Sequence, residues 1–326
     1  MMDFWTGGTM TKRSIAINLN LDEQNLQAIQ EVVPDWDIYT GKDIAEENLN
    51  KAEILVHWRE SQANKYVNSN KLKWVQSWSA GVDYLDLDHL QKNDIHLTSA
   101  SGVHAYPISE TIFAYMLGFT RLIHTYIRQQ QEKKWYHANL KAEIHEKTIG
   151  IVGVGEIGKE TAKIAQAFGM KVLGVRHSGR DVDYVDEMYT PSDLSLVLER
   201  SDFVVVTLPL TKETHHMFGK EQFAQMKNSA FFVNIGRGSI VDETALISAL
   251  QQKEIGGVGL DVFESEPLQS DSPLWEMDNV IITPHSAGAT EYYTNRVIQD
   301  IFIPNLKSYL VKGAPTINVF QHNLGY

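Results

Sequence analysis

The sequence predicts an α/β protein made of two parallel sheets, each flanked by helices, with a cleft between them. Three observations carry this expectation. Short apolar strands alternate with helical segments along the chain. A glycine-rich turn joins a strand to an amphipathic helix at Gly153. The length, 326 residues, exceeds what one core comfortably holds and so favours two domains.

From Ser14 to about Ala100, the strands SIAINLN, WDIYT, ILVHW, WVQSWSA and IHLTSA are separated by helical segments, two of them beginning at Asp22 and near Ile44. Pro107 then opens one long amphipathic helix, PISETIFAYMLGFTRLIHTYIRQQ, with Ile108, Ile112, Met116, Phe119 and Ile123 recurring on its faces. It is expected to lead into the second domain. That domain continues through FVVVTLP, AFFVNIG, GGVGLDVF and VIITPH, the near-continuous apolar strands of a sheet covered on both faces. A last helical segment, 290–312, contains Pro304, which should kink or divide it, and GAPTINVF after it should return to the first domain. The expected boundaries are 12–101 with 290–326 for the first domain and 102–289 for the second. The opening MMDFWTGGTMTKRS reads as a leader outside the fold.

Composition narrows the partners. A net charge of −12 argues against nucleic acid and anionic lipid surfaces, and no apolar stretch is long enough to span a bilayer. The absence of cysteine removes disulfides and thiolate chemistry and fits a cytoplasmic protein. No metal site is expected. His215 and His216 are adjacent and without a carboxylate at ligand spacing, so they read as surface. Trp74, Trp78, Trp135, Tyr292 and Tyr293 read as packing residues or dimer contacts.

The stretch Lys147–Arg180 carries the clearest chemistry. An apolar strand with Ile149, Ile151 and Val152 enters Gly153-x-Gly155-x-x-Gly158, which opens a helix ending at Gly169. This is a Rossmann unit. Gly153 makes the tight turn, Gly155 admits a pyrophosphate to the backbone, and Gly158 allows close packing of helix on strand. At the end of the second strand, where an acidic residue would bind ribose hydroxyls, stands Arg176, followed by His177, Ser178 and Arg180. A guanidinium there suits a 2′-phosphate, so NADP(H) is expected in preference to NAD(H).

Three ionisable residues follow later apolar strands: Arg237, Glu266 and His285. Ligands of an open parallel sheet bind outside the carboxyl ends of its strands, so all three point to one site. Arg237 suits a carboxylate by two parallel hydrogen bonds. His285 suits proton delivery to a carbonyl, and Glu266 would favour its imidazolium. Singly, each would read as an ordinary turn or loop residue. Together they suit hydride transfer to a 2-oxo acid.

With GVGEIG, TLPLTKET, NIGRGSIVDE, DVFESEPL and TPHSAG, the chain from Ser14 to Val319 resembles the D-isomer-specific 2-hydroxyacid dehydrogenases. The resemblance implies a substrate (catalytic) domain and a dinucleotide-binding domain. It places a carboxylate-binding turn at Ser79–Asp83, with Ala80, Gly81 and Val82 contacting substrate, a turn that by its own physics is an anion nest. It implies Trp58 in the substrate pocket, although a core aromatic at a strand end is the competing reading. Asp261 would contact the nicotinamide carboxamide, and Leu208 and Pro209 the adenosine. Glu156, Ile157, Thr214, Ile235, Gly236, Ala287 and Gly288 join the cofactor site through their motifs. The implied activity is reduction of a small 2-oxo acid such as glyoxylate, hydroxypyruvate or pyruvate to the D-2-hydroxy acid, by a homodimer. The rival from another class is a nucleotide-sensing, corepressor-like scaffold of the same fold.

Overall fold

The computed structural model describes residues 12–59, 71–82, 84–137 and 142–321. Two compact units result: the residues up to Val103 together with those from Glu291, and His104–Thr290. The leader expectation falls largely on residues 1–11, outside those described.

The first unit holds a five-stranded parallel sheet of β1 (Ser14–Ile17), β2 (Asp37–Thr40), β3 (Ile54–Val56), β4 (Trp74–Gln76) and β5 (His96–Thr98), in the order β2-β1-β3-β4-β5. Side chains alternate across a strand, and β1 shows it. Ile15 and Ile17 pack with Ile29, Phe302 and Leu306, while Ala16 packs with Leu55, Val75 and Leu97. Asp22 starts the Glu23–Val32 helix by accepting from Asn25 N at 2.8 Å, a cap worth about 1 kcal/mol. The last helical segment is divided as Pro304 demands. A π-helical stretch, Val297–Phe302, lies between the helices Tyr293–Arg296 and Ile303–Lys312, just before a proline that lacks the N–H for a regular bond to Asp300. The chain then returns to β5, where Val319 bridges Thr98 and Phe320 N donates to Leu97 O at 2.9 Å. The return is an antiparallel bridge, not a full strand.

The second unit holds seven parallel strands: β6 (Thr148–Val152), β7 (Lys171–Val175), β8 (Glu187–Tyr189), β9 (Phe203–Val206), β10 (Phe231–Asn234), β11 (Gly257–Leu260) and β12 (Val280–Ile282). Their order, β12-β11-β10-β9-β6-β7-β8, reverses direction between β9 and β6. That is the switch point where doubly wound sheets bind nucleotides. Two features differ from expectation. The long helix from Pro107 is two helices, Ala105–Thr120 and Ile123–Gln131, because Leu122 takes a left-handed conformation at φ 53°. The first is largely buried and the second has no buried residue, so the break lets the chain leave the core. β8 is also unforeseen, being three residues long and led by a glutamate. It is held by parallel pairing to β7 and by Glu187, which accepts two bonds from Arg200 at 2.8 Å and pairs with Lys171. Among the described residues, no helix is long and apolar enough to cross a membrane.

Candidate active site

At the switch point, the turn after β6 is shaped around the absence of side chains. Gly153 sits at φ 106°, and a Cβ there would come within 3.0 Å of Leu208 N. A Cβ at Gly158 would lie 2.8 Å from Gly153 O, so helix and turn touch directly. A Cβ at Gly155 would meet nothing within 4 Å. The space above Gly155 is thus left to a ligand, and the Glu156–Ala167 helix behind it has no side-chain cap, so its first amides are open to an anion. The turn therefore fits a dinucleotide pyrophosphate. Across the switch point, Leu208 and Pro209 follow β9. Thr214 spends its hydroxyl inside that loop, donating to Pro209 O and accepting from Thr211 N, both at 2.7 Å. A Cβ at Gly236 would lie 2.6 Å from Leu208 O, while Ile235 turns into the core.

Arg176, His177 and Ser178 are exposed in a turn closed by Gly179 N donating to Arg176 O at 3.0 Å, with Gly179 at φ 60°. The Arg176 amide donates to Tyr189 O at 3.0 Å. Thus the unforeseen strand β8 anchors the turn. The ion pairs of this region, Lys159–Asp183, Lys171–Glu187 and Arg200–Glu187, leave the Arg176 fork uncommitted among the described residues.

Arg237, Glu266 and His285 follow β10, β11 and β12, three neighbouring strands. Arg237 is exposed, and its loop is held by Asn234, which donates to Arg237 O at 3.0 Å and accepts from Gly236 N at 3.1 Å. A Cβ at Gly238 would fall 1.9 Å from the Phe263 carbonyl, so the loops carrying Arg237 and Glu266 lie backbone against backbone. Glu266 bridges two donors, Phe263 N at 3.0 Å and His285 Nδ1 at 2.7 Å. A proton on Nδ1 leaves Nε2 to face the substrate. The histidine holds a left-handed backbone, φ 50°, fixed by its own N–H on Asp261 O at 2.8 Å.

Asp261 does more in this structure than its motif suggested. Only 2% exposed, its carboxylate accepts from Ser286 N at 2.8 Å, Ala287 N at 3.0 Å and the Thr283 hydroxyl, so it clamps the His285 loop. Tyr115 hydrogen-bonds Thr283 in turn, and burial pushes its phenol well above the usual range. His104 is a further residue of this face that sequence reasoning missed. Its Nδ1 lies 3.0 Å from Gly288 O, and it stands in the field of Arg237. No motif marks it, because it precedes a helix and its partner is 184 residues away. His216 also differs from expectation: it meets Glu264, a carboxylate too distant in sequence to suggest itself. Among the described residues, no cluster of three metal-ligating side chains exists.

In the first unit, Ser77 braces the Ser79 turn. Its hydroxyl accepts from Ser79 N at 3.0 Å and contacts Ser79 O at 3.1 Å. Among the described residues, the Ala80, Gly81 and Val82 amides have no backbone acceptor, as an anion nest requires. Asp83 lies outside the described residues. Trp58, 4% exposed, packs in the core with Leu55, Val75 and Leu97. Trp74 is likewise core, whereas Trp135 is fully exposed.

Residues 113–287 match the family described as D-isomer specific 2-hydroxyacid dehydrogenase, NAD binding domain. Over 227 residues, the chain is 42% identical to glyoxylate/hydroxypyruvate reductase B of Escherichia coli, covering 68% of this chain and 69% of that protein. Among solved structures, a D-isomer specific 2-hydroxyacid dehydrogenase family protein from Aeromonas salmonicida is similar at TM-score 0.80 and 33% identity, covering 95% of this chain and 99% of that one. An NADPH-dependent glyoxylate/hydroxypyruvate reductase from Sinorhizobium meliloti, solved with NADP and sulfate, is similar at TM-score 0.78 and 28% identity, covering 97% and 100%.

Proposed function

The chain belongs to the D-isomer-specific 2-hydroxyacid dehydrogenase family and is an NAD(P)-dependent oxidoreductase; from that premise we propose that it reduces small 2-oxo acids, glyoxylate and hydroxypyruvate foremost, with NADPH preferred over NADH. The observation that carries this reading is the 2.7 Å His285–Glu266 pair at the same sheet edge as the Arg237 guanidinium. Arg237 holds the substrate carboxylate through two parallel bonds, and the Ala80–Val82 turn of the first unit is by itself an anion nest suited to a carboxylate. His285, protonated on both nitrogens, gives its Nε2 proton to the carbonyl oxygen as that oxygen gains charge. Glu266 stabilises the imidazolium before transfer and keeps the ring oriented after it. When bound, the reduced nicotinamide supplies the hydride to C2. The uncapped first amides of the Glu156–Ala167 helix, beneath the empty space at Gly155, would hold the pyrophosphate, and Arg176, with His177 and Ser178 beside it, would hold the 2′-phosphate. The 12–101 and 290–326 segments form the substrate domain and 102–289 the dinucleotide domain.

The same proposal includes a cytoplasmic homodimer, supported by Ile123 and Ile127, each about half exposed on one helix. Nothing favours the scaffold alternative. A spectrophotometric panel of 2-oxo acids with NADPH and NADH tests the reading. Turnover of glyoxylate or hydroxypyruvate with NADPH is expected, and intact NADPH binding with no turnover of any 2-oxo acid would sink it.

A further inference from the structure

The segment Thr283–Gly288, which carries His285, is gripped at several points. Its start is tied through Thr283 to Tyr115 and Asp261, and its middle through Ser286 N and Ala287 N to Asp261. Its far end, Gly288, is reached by the His104 ring, which stands immediately before the Ala105–Thr120 helix. Since the Gly288 carbonyl can only accept, Nδ1 of His104 carries a proton and donates across the 3.0 Å separation. Gly288 presents its backbone to the ring so closely that a Cβ there would lie 2.8 Å from Nδ1. Burial, with a smaller contribution from the Arg237 charge, holds His104 below its ordinary pKa.

We propose that His104 is a positioning residue for the reduction, fixing the carboxyl-side end of the His285 loop through the Gly288 carbonyl so that the Nε2 of His285 is aimed at the reacting oxygen. Asp261 fixes the loop amides. The Gly288 carbonyl is an acceptor, which the Asp261 carboxylate cannot serve. His104 supplies it from the same helical segment that sends Tyr115 to Thr283, so one rigid element holds both ends of the catalytic loop. The inference rests on the dehydrogenase reading above.

Four single variants and one double variant test it, with steady-state kinetics on glyoxylate and NADPH. His104→Phe keeps an aromatic ring and removes the donor, and kcat is expected to fall about tenfold, the worth of one hydrogen bond in positioning, while the glyoxylate KM changes less than about twofold. His104→Asn places its Nδ2 where the imidazole Nδ1 stood, and kcat should return to within about twofold of wild type. Gly288→Ala drives a methyl against the ring and should reproduce the His104→Phe loss. Combined with His104→Ala, which empties that space, it should add little further loss. Circular dichroism and NADPH fluorescence titration confirm that each variant folds and binds nucleotide. Equal kcat for the Phe and Asn variants, a loss confined to glyoxylate KM, or full additivity of Gly288→Ala with His104→Ala would each overturn the assignment. A wild-type protein inactive on every 2-oxo acid speaks instead against the dehydrogenase reading.

Discussion

Single residues decide the chemistry, and two predictions belong at that scale. His285→Ala removes the proton donor without touching the glycine turn, so turnover should fall by roughly 100-fold to 10,000-fold while NADPH affinity changes little; near-normal turnover would remove the assignment. Glu266→Gln keeps a polar group near His285 Nδ1 but withdraws the negative charge that stabilises the imidazolium. Its kcat should therefore fall by roughly tenfold to 100-fold with NADPH affinity little changed, and a kcat equal to that of wild type would break the pairing. Arg176 governs nucleotide choice. Its exposed fork, uncommitted among the described residues, contributes on the order of 100-fold discrimination if two charge-assisted bonds reach the 2′-phosphate. Arg176→Asp should raise the NADPH KM far more than the NADH KM. A wild-type catalytic efficiency already favouring NADH would overturn this preference.

At the scale of elements, β8 shows how a weak strand serves a functional turn. Its backbone anchors Arg176 through Tyr189 O, and its own hold on the sheet runs through Glu187. Arg200, then Lys171 and Tyr189, holds the Glu187 carboxyl well below the usual carboxylate range. A lowered folded-state pKa means the stabilisation is fully present above the ordinary carboxylate pKa and fades as pH falls through that range toward the folded value. The pair is partly exposed to solvent, so Glu187→Gln should lower the melting temperature by no more than about 2 °C at pH 7, with the difference shrinking toward pH 3. The test is a pair of thermal scans, and a difference that grows on acidification would contradict the sign. The strand was illegible in sequence because three residues led by a glutamate show no apolar run. The break at Leu122 was illegible for a related reason: apolar spacing continues through Ile123, while the left-handed turn between the helices leaves no Gly or Pro behind.

For the whole molecule, nucleotide binding couples to stability. NADPH at about 100 times its Kd should stabilise the folded protein by ~2.7 kcal/mol, and NADH at equal concentration by less. Equal shifts in melting temperature with the two nucleotides at matched concentrations would speak against the 2′-phosphate cradle. Sedimentation at micromolar concentration tests the proposed homodimer, with a monomer rejecting it.

The chain by itself determined the two-sheet α/β plan, the glycine turn and the trio Arg237, Glu266 and His285. Each of these is written locally, as an apolar strand followed at once by the residue in question, and that local grammar survives without knowledge of packing. Only the tertiary structure decided that Trp58 belongs to a core, that Asp261 spends its carboxylate on the His285 loop, and that His104 reaches Gly288. These outcomes depend on partners far apart in sequence, and on which face of a strand or helix end the surrounding core leaves open.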